Sequence, residues 1–406
     1  MTNELKLFTP HAIGPVTLRN RTIRAAAFEG MCPGNNPSQQ LTDYHRSVAG
    51  GGIGMTTVAY AAVNRSGLSF PHQLWLRKEV ITELRRLTDA VHEEGAAASI
   101  QLGHCGNMSK KSVAGCWPLS PSGGLNIYSP TWSKKMTKND INEVVQSFAN
   151  SVEIARESGF DAVEVHAGHG YLISQFLSPY TNRRNDEFGG SFENRARFMQ
   201  MVMRAVMKAA GNDLAVIVKM NMYDGFKGGM EIAECLDVAR LLEKEGVHAL
   251  VLSGGFVSKA PMVVMRGAMP VKTLAYYMKN SLLKIGVRLG GKFLIPAVPF
   301  KEAYFLEDTL QFRKAVKLPL IYVGGLISGK KINEVLDSGF EFVAMARALI
   351  NEPDFVNRLQ RDNEARNQCD TSNYCIARMY SEEMACHQHV EGLPACILKE
   401  VGKKKI

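Results

Sequence analysis

Eight times along the chain a short β-branched or apolar run gives way to a polar stretch and then to an amphipathic helix, or to room for one. This alternation limits the fold more than any other feature. Parallel strands need a long crossover, usually a helix, so strict alternation predicts an all-parallel sheet. Strands read at 22–27, 53–59, 97–102, 161–166, 214–220, 248–253, 319–323 and 340–345. Helices read at 80–94, 141–158, 192–210, 232–245, 302–316 and 331–338. In the first of them Val80, Ile81, Leu84, Leu87 and Val91 recur near a 3.6-residue period. Gly159, Gly211 and Gly246 stand where helices stop, as a left-handed C-cap requires. Eight units predict an α/β fold closed as a (β/α)8 barrel. The alternative, an open doubly wound sheet, would want a G-x-G-x-x-G after its first strand, and none is there. No repeat of 20–50 residues argues for a solenoid.

Two segments escape the pattern, which divides the chain into a barrel at 1–361 and a tail at 362–406. Residues 254–300 form a long excursion after the sixth strand, rich in Met, Pro and Gly. An excursion at a strand C-terminus of a barrel is a candidate lid or pocket wall. Met262, Met265, Met269 and Met278 in it suit a broad apolar pocket, or simple packing. The tail carries Cys and His residues.

Composition excludes several classes. The 406 residues include 48 Lys and Arg against 39 Asp and Glu, a formal charge of +9. The cations are spread along the sequence, apart from Lys403, Lys404 and Lys405, without interleaved aromatics or a nucleic-acid motif. A solvated surface that also favours an anionic cofactor or substrate accounts for the charge. No apolar run of about 18 residues predicts a membrane span, and the N-terminus lacks a signal core. Eight cysteines are too few for a disulfide scaffold. A cytoplasmic protein is expected, with a small-molecule substrate and neither nucleic acid nor membrane as partner.

Barrels place their reacting groups at strand C-termini. The fourth strand ends at His166, and its loop carries His169 and Tyr171. Two neutral imidazoles can donate hydrogen bonds to one carbonyl oxygen while a phenol protonates the neighbouring carbon. That set suits an enone, whose oxygen gains negative charge as hydride reaches the β-carbon. H-x-x-H alone also fits a zinc pair, though no third ligand is obvious, or a structural histidine pair.

The stretch 163–197, VEVHAGHGYLISQFLSPYTNRRNDEFGGSFENRAR, closely resembles the signature of the old yellow enzyme (NADH:flavin oxidoreductase) family. LFTPHAIGPVTLRNRTIRAA, IQLGHCGN, VGGLIS and MARALINEP follow in family order, so the resemblance covers roughly residues 5–360. It is nearest the branch holding 2,4-dienoyl-CoA reductase and bile-acid or steroid enone reductases. The resemblance implies an FMN-binding TIM barrel that often assembles as a homo-oligomer. It implies that Gln101 meets the flavin pyrimidine edge and that Lys219 stands near flavin N1 and O2. Ser253, Gly254, Gly255, Gly324, Gly325, Ala346 and Arg347 then serve the phosphate side. Ala25 and Ala26 lie by the ring face, and Tyr60 offers backbone bonds to it. Phe28 stands where the family usually has Thr or Cys beside N5, so no side-chain hydrogen bond is expected there. Arg184 and Asp186 are expected to form a structural ion pair.

Iron–sulfur members of this branch carry four tail cysteines. Here the matching stretch reads Cys369-x2-Ser372-x2-Cys375-x10-Cys386, with His387, His389 and Cys396 nearby. Three thiolates fall short of the four a [4Fe–4S] cluster wants, so a metal-free remnant is expected over a cluster or zinc held by a substitute ligand. Larger members continue into FAD and NADPH domains, for which this sequence leaves no room. NAD(P)H is therefore expected to reduce FMN directly in a ping-pong cycle, with a reductase partner as the alternative. His166 and His169 would polarise an enone and Tyr171 protonate its α-carbon. Rival readings keep the flavin but make the chain an amine demethylase or a non-catalytic electron carrier.

Overall fold

The computed structural model describes residues 5–126 and 131–402; Lys403, Lys404 and Lys405 lie outside them. Eight strands close a barrel: β1 (Thr22–Arg24), β2 (Met55–Ala62), β3 (Ala97–Gly103), β4 (Ala162–Ala167), β5 (Ala215–Asn221), β6 (Ala249–Ser253), β7 (Leu320–Val323) and β8 (Phe342–Met345). They pair in parallel and in chain order, and β8 returns to β1. The helices that follow are α1 (Gln39–Gly50), α2 (Ile81–Glu93), α3 (Lys138–Glu157), α4 (Phe192–Ala210), α5 (Ile232–Lys244), α6 (Leu306–Ala315), α7 (Gly329–Asp337) and α8 (Phe355–Arg361). The (β/α)8 expectation stands.

Strand sequences explain the two core layers. A parallel strand covered on both faces reads as a continuous apolar run, yet its side chains still alternate. In β4, Val163 and Val165 join the large cluster between strands and helices, with Phe148, Val152, Phe198 and Val202. Ala162 joins a second cluster with Met55, Ile217, Val251, Ile321 and Phe342. Glu164 and His166 share that strand face with Ala162. Ile13 and Leu18, from an antiparallel hairpin ahead of β1, pack into the same cluster.

Several elements differ from the sequence reading. α1 carries only Leu41, Thr42, His45, Val48 and Ala49 as its buried face, too polar a set for its period to stand out. It is fixed by Ser38, whose hydroxyl accepts the Leu41 N–H. Residues 302–305 belong to a turn, and α6 starts at Leu306. Short strands at Leu119–Ser120, Gly124–Asn126 and Thr131–Lys135 form a separate sheet between β3 and α3. Arg184 anchors that region. Its guanidinium makes the expected bidentate pair with Asp186, at 2.9 and 2.6 Å, and donates to Pro121 O and Met136 O.

The loop after β1 is held by a buried charge knot. Arg24, fully buried, pairs with Glu29 at 2.7 Å and donates to Thr57 O and Ala27 O. The Glu29 carboxylate also accepts the Ala59 N–H, and His45 Nε2 is 3.4 Å away. Breaking a buried pair leaves an uncompensated charge, at a cost of about 3–5 kcal/mol. Glu29→Ala should therefore lower the unfolding free energy by about that amount in urea titrations. A loss below about 1 kcal/mol would show that the knot does not hold this loop.

Candidate active site

A cavity of about 260 Å³ opens among the strand C-termini. Ala25, Ala26 and Phe28 after β1, Tyr60 in β2, Gln101 in β3 and His166, His169 and Tyr171 from β4 and its loop line it. Lys219 in β5, Ser253 in β6, Gly325 after β7 and Ala346 and Arg347 after β8 complete the expected set. Thirteen of the sixteen catalytic and cofactor-binding positions read from sequence thus meet at one place.

Three do not. A side chain at Gly254 would meet the Phe305 ring at 3.4 Å, and one at Gly324 would meet the Tyr322 hydroxyl at 2.7 Å. Gly324 makes room for the Tyr322 ring and Gly255 for Val263, Gly254 makes an ordinary contact with Phe305, and none of the three lines the cavity. Gly325 is different: its φ of +72° needs glycine, and a Cβ there would strike the Tyr304 ring at 2.7 Å.

Lys219 is buried and paired. Its Nζ lies 3.0 Å from Glu164 Oε1 and 3.4 Å from Ala26 O. Glu164 Oε1 also accepts from Gln101 Nε2 at 2.6 Å. Three adjacent strands, β3, β4 and β5, are tied through one carboxylate. Glu164 escaped the sequence reading, although the signal was present. It is the acid flanked by two outward valines in DAVEVH, two residues before His166, and so on the same face.

The β4 loop presents the reacting side chains. His166 and His169 have ring centroids 5.1 Å apart, and Tyr171 lies 4.4 Å from His166. His169 adopts φ +57°, a costly conformation for a residue with a side chain. It is held there because Asn221 Oδ1 accepts its N–H at 2.9 Å and its carbonyl accepts the Val257 N–H at 3.0 Å. Its Nε2 lies 2.8 Å from Ser253 Oγ. Gly170, at φ +78°, packs where a Cβ would meet the Phe256 ring at 2.5 Å. Tyr60 stands edge-on to Tyr171 at 5.1 Å, and its hydroxyl is engaged by Gly67 O and Ser69 Oγ. Phe28 stacks on Phe70 at 4.9 Å.

Burial sets the protonation states. It drives His166 well below its ordinary range, with the charges of His169 and Lys219 adding. It drives His169 down to about 3, with Lys219 adding. It pushes Tyr171 up. At neutral pH the wall thus holds two neutral imidazoles and a protonated phenol. His166 Nδ1 is buried without a hydrogen-bond partner among the described residues.

The tail and excursion close the cavity. Val257, Val264, Met265 and Phe300 line it from the excursion. Met265 alone of the four excursion methionines singled out from sequence does so. Cys369, Thr371, Cys375, Ile376, Met379 and Met384 line it from the tail. Asn373 Oδ1 accepts from Arg347 Nη1 at 2.7 Å, which ties the tail to the β8 loop. Cys386 Sγ accepts from Asn351 Nδ2. Burial pushes the Cys375 thiol up to about 12. Among the described residues no three His, Cys, Asp or Glu side chains stand together as a metal ligand set.

The parallel (β/α)8 barrel thus brings cationic side chains three strands apart, at Lys219 and Arg347, an amide at Gln101 and small residues between them to one cavity at its strand C-termini. The NADH:flavin oxidoreductase / NADH oxidase family matches residues 6–289. The 4,4'-dithiodibutanoate disulfide reductase of Rhodococcus erythropolis is 40% identical over 92% of this chain and 93% of its own length. The NADH oxidase of Thermoanaerobacter brockii is 29% identical over 93% of this chain, which spans about half of it (54%). The old yellow enzyme homologue of Zymomonas mobilis, 22% identical, superposes with a TM-score of 0.71 over 90% of this chain and 96% of that one. The chain belongs to the NADH:flavin oxidoreductase / NADH oxidase family, and it is an NAD(P)H-dependent FMN oxidoreductase.

The depressed histidines give a pH signature. Unfolding lets His169 take up a proton near 6.5, while the folded chain resists it down to about 3. Its contribution is therefore present above 6.5 and is lost as pH falls through that window. Urea titrations between pH 6.5 and 4 should show the slope of stability on pH reduced by about 1.4 kcal/mol per unit in His169→Asn. An unchanged slope would mean that the imidazole is not held neutral.

Proposed function

We propose that the chain reduces the C=C bond of an α,β-unsaturated carbonyl compound with NAD(P)H in a ping-pong cycle. The observation that carries the reading is the neutral wall of His166, His169 and Tyr171 on the cavity, with the His166 ring 5.1 Å from His169 and 4.4 Å from Tyr171. The residues fit FMN: small Ala25 and Ala26 leave an open face, Gln101 keeps its amide oxygen as an acceptor, and Lys219 and Arg347 supply positive charge. The orphaned His166 Nδ1 is one more polar atom in a wall that is incomplete without a ligand. When bound, FMN supplies the hydride, taken from NAD(P)H and given to the substrate β-carbon. Lys219 and Gln101 hold the pyrimidine edge, and Gly325, Ala346 and Arg347 the phosphate. His166 and His169 hold the substrate carbonyl oxygen, and Tyr171 Oη gives its proton to the α-carbon. Ser253 and Asn221 keep His169 turned to the site. Val257, Met265, Met379 and Met384 surround an apolar substrate body.

A second reading rests on the Rhodococcus relative, which this chain matches over nearly its whole length. Its name indicates disulfide reduction. Cleaving R–S–S–R takes one hydride and one proton and gives two thiols; the hydride goes from bound, reduced FMN to one sulfur, and Tyr171 gives the proton to the other, leaving sulfur.

Tyr171→Phe separates chemistry from binding. Stopped-flow reduction by NAD(P)H should stay near wild type, while reoxidation by an enone should slow by about 10²–10⁴-fold. Wild-type rates in both half-reactions would overturn the acid role. Rapid reoxidation by a small organic disulfide, with none by enones, would select the second reading.

A further inference from the structure

The chain's positive charge is concentrated by an absence of acids. No Asp or Glu occurs between Glu245 and Glu302, while 254–301 holds eight cations: Lys259, Arg266, Lys272, Lys279, Lys284, Arg288, Lys292 and Lys301. That segment alone carries +8 against +9 for the whole chain. Its central helix, Ser281–Leu294, is amphipathic in an unusual way. Leu283, Val287 and Gly291 form the inward face, with Gly291 against Val271 of the helix Val271–Tyr277. A second apolar face, spaced at 282, 285, 289 and 293, points to solvent: Leu282 is 82% exposed, Leu289 79% and Phe293 89%. Lys284, Arg288 and Lys292, four residues apart, run beside it and form no ion pair among the described residues.

We infer that this helix docks the protein on an anionic lipid surface. The apolar face is too exposed and too continuous for a solvated helix, and something covers it. A second copy in a two-fold contact would set the same face, and its like charges, against itself. A negatively charged bilayer surface accepts both stripes: Leu282, Ile285, Leu289 and Phe293 enter the headgroup boundary while the cations meet lipid phosphates. No described helix is long and apolar enough to cross a membrane, so the helix lies on the surface. The docked excursion also supplies Val257, Val264, Met265 and Phe300 to the cavity wall. The inference does not depend on which reaction the cavity performs.

Sedimentation of the FMN-loaded full chain with vesicles tests it. Phosphatidylcholine vesicles containing phosphatidylglycerol should pull the protein down at low salt, and pure phosphatidylcholine should not. High salt should release it. The triple variant K284Q/R288Q/K292Q should bind roughly 100-fold more weakly. The variant L282S/L289S/F293S should also lose binding, and both should keep FMN and NAD(P)H oxidation. No sedimentation of wild type with the anionic vesicles overturns the inference. So does unchanged binding in both variants. Light scattering that shows a dimer dissolving in L282S/L289S/F293S, without vesicle binding by wild type, would assign the face to a second copy and overturn it too.

Discussion

The site is built around the Glu164 carboxylate. Buried inside the barrel, it accepts from Gln101 and pairs with Lys219, so three neighbouring strands share one acceptor. A buried lysine without such a partner would lose its proton or unfold its strand. With the partner present, β5 can end in a cation at the strand C-terminus, where a barrel builds its chemistry. The same carboxylate orients the Gln101 amide and leaves the amide oxygen for a ligand. A second buried pair, Arg24 with Glu29, does comparable work on the opposite edge of the cavity wall and sets the loop bearing Ala25, Ala26 and Phe28.

On this frame the β4 loop can be irregular. His169 sits at a positive φ because Asn221 and Val257 hold its backbone, and Gly170 lets Phe256 pack beneath it. The turn brings two imidazoles and a phenol to one wall, and burial keeps all three neutral. The strain is local, and the hydrogen bonds that sustain it come from β5 and the β6 loop. Regular strands position the irregular segment that bears the proposed chemistry.

Much of this was legible because the strands are buried on both faces and the helices show clear apolar stripes. β4 and β5 fall within a residue of their sequence-read bounds at either end. The loss came where tertiary contacts outweigh local pattern. α1 buries His45 and Thr42 beside three apolar residues, so its period is weak. The hairpin before β1 and the small sheet at 119–135 have strands of two to five residues, too short to show alternation. Glu164 was passed over because acids inside strands are rarely buried. Gly254, Gly255 and Gly324 were read as ligand contacts because a double glycine looks the same whether it approaches a ligand or a neighbouring side chain. The tail, read as a region apart, returns to line the cavity through Cys369, Cys375, Met379 and Met384. No local pattern encodes that return; it rests on long-range bonds, among them Arg347 to Asn373, Met384 N–H to Glu29 O and Asn373 to Arg266 O.

The central claim is that the Glu164-paired Lys219 is the cation that holds the cofactor. Fluorescence titration of FMN into cofactor-free protein tests it, wild type against Lys219→Met, with circular dichroism as the check on folding. The account predicts one FMN per chain and at least a tenfold weaker Kd in the variant, since a charge-assisted hydrogen bond contributes about 1.5–3 kcal/mol. Equal affinity in a folded variant would contradict it.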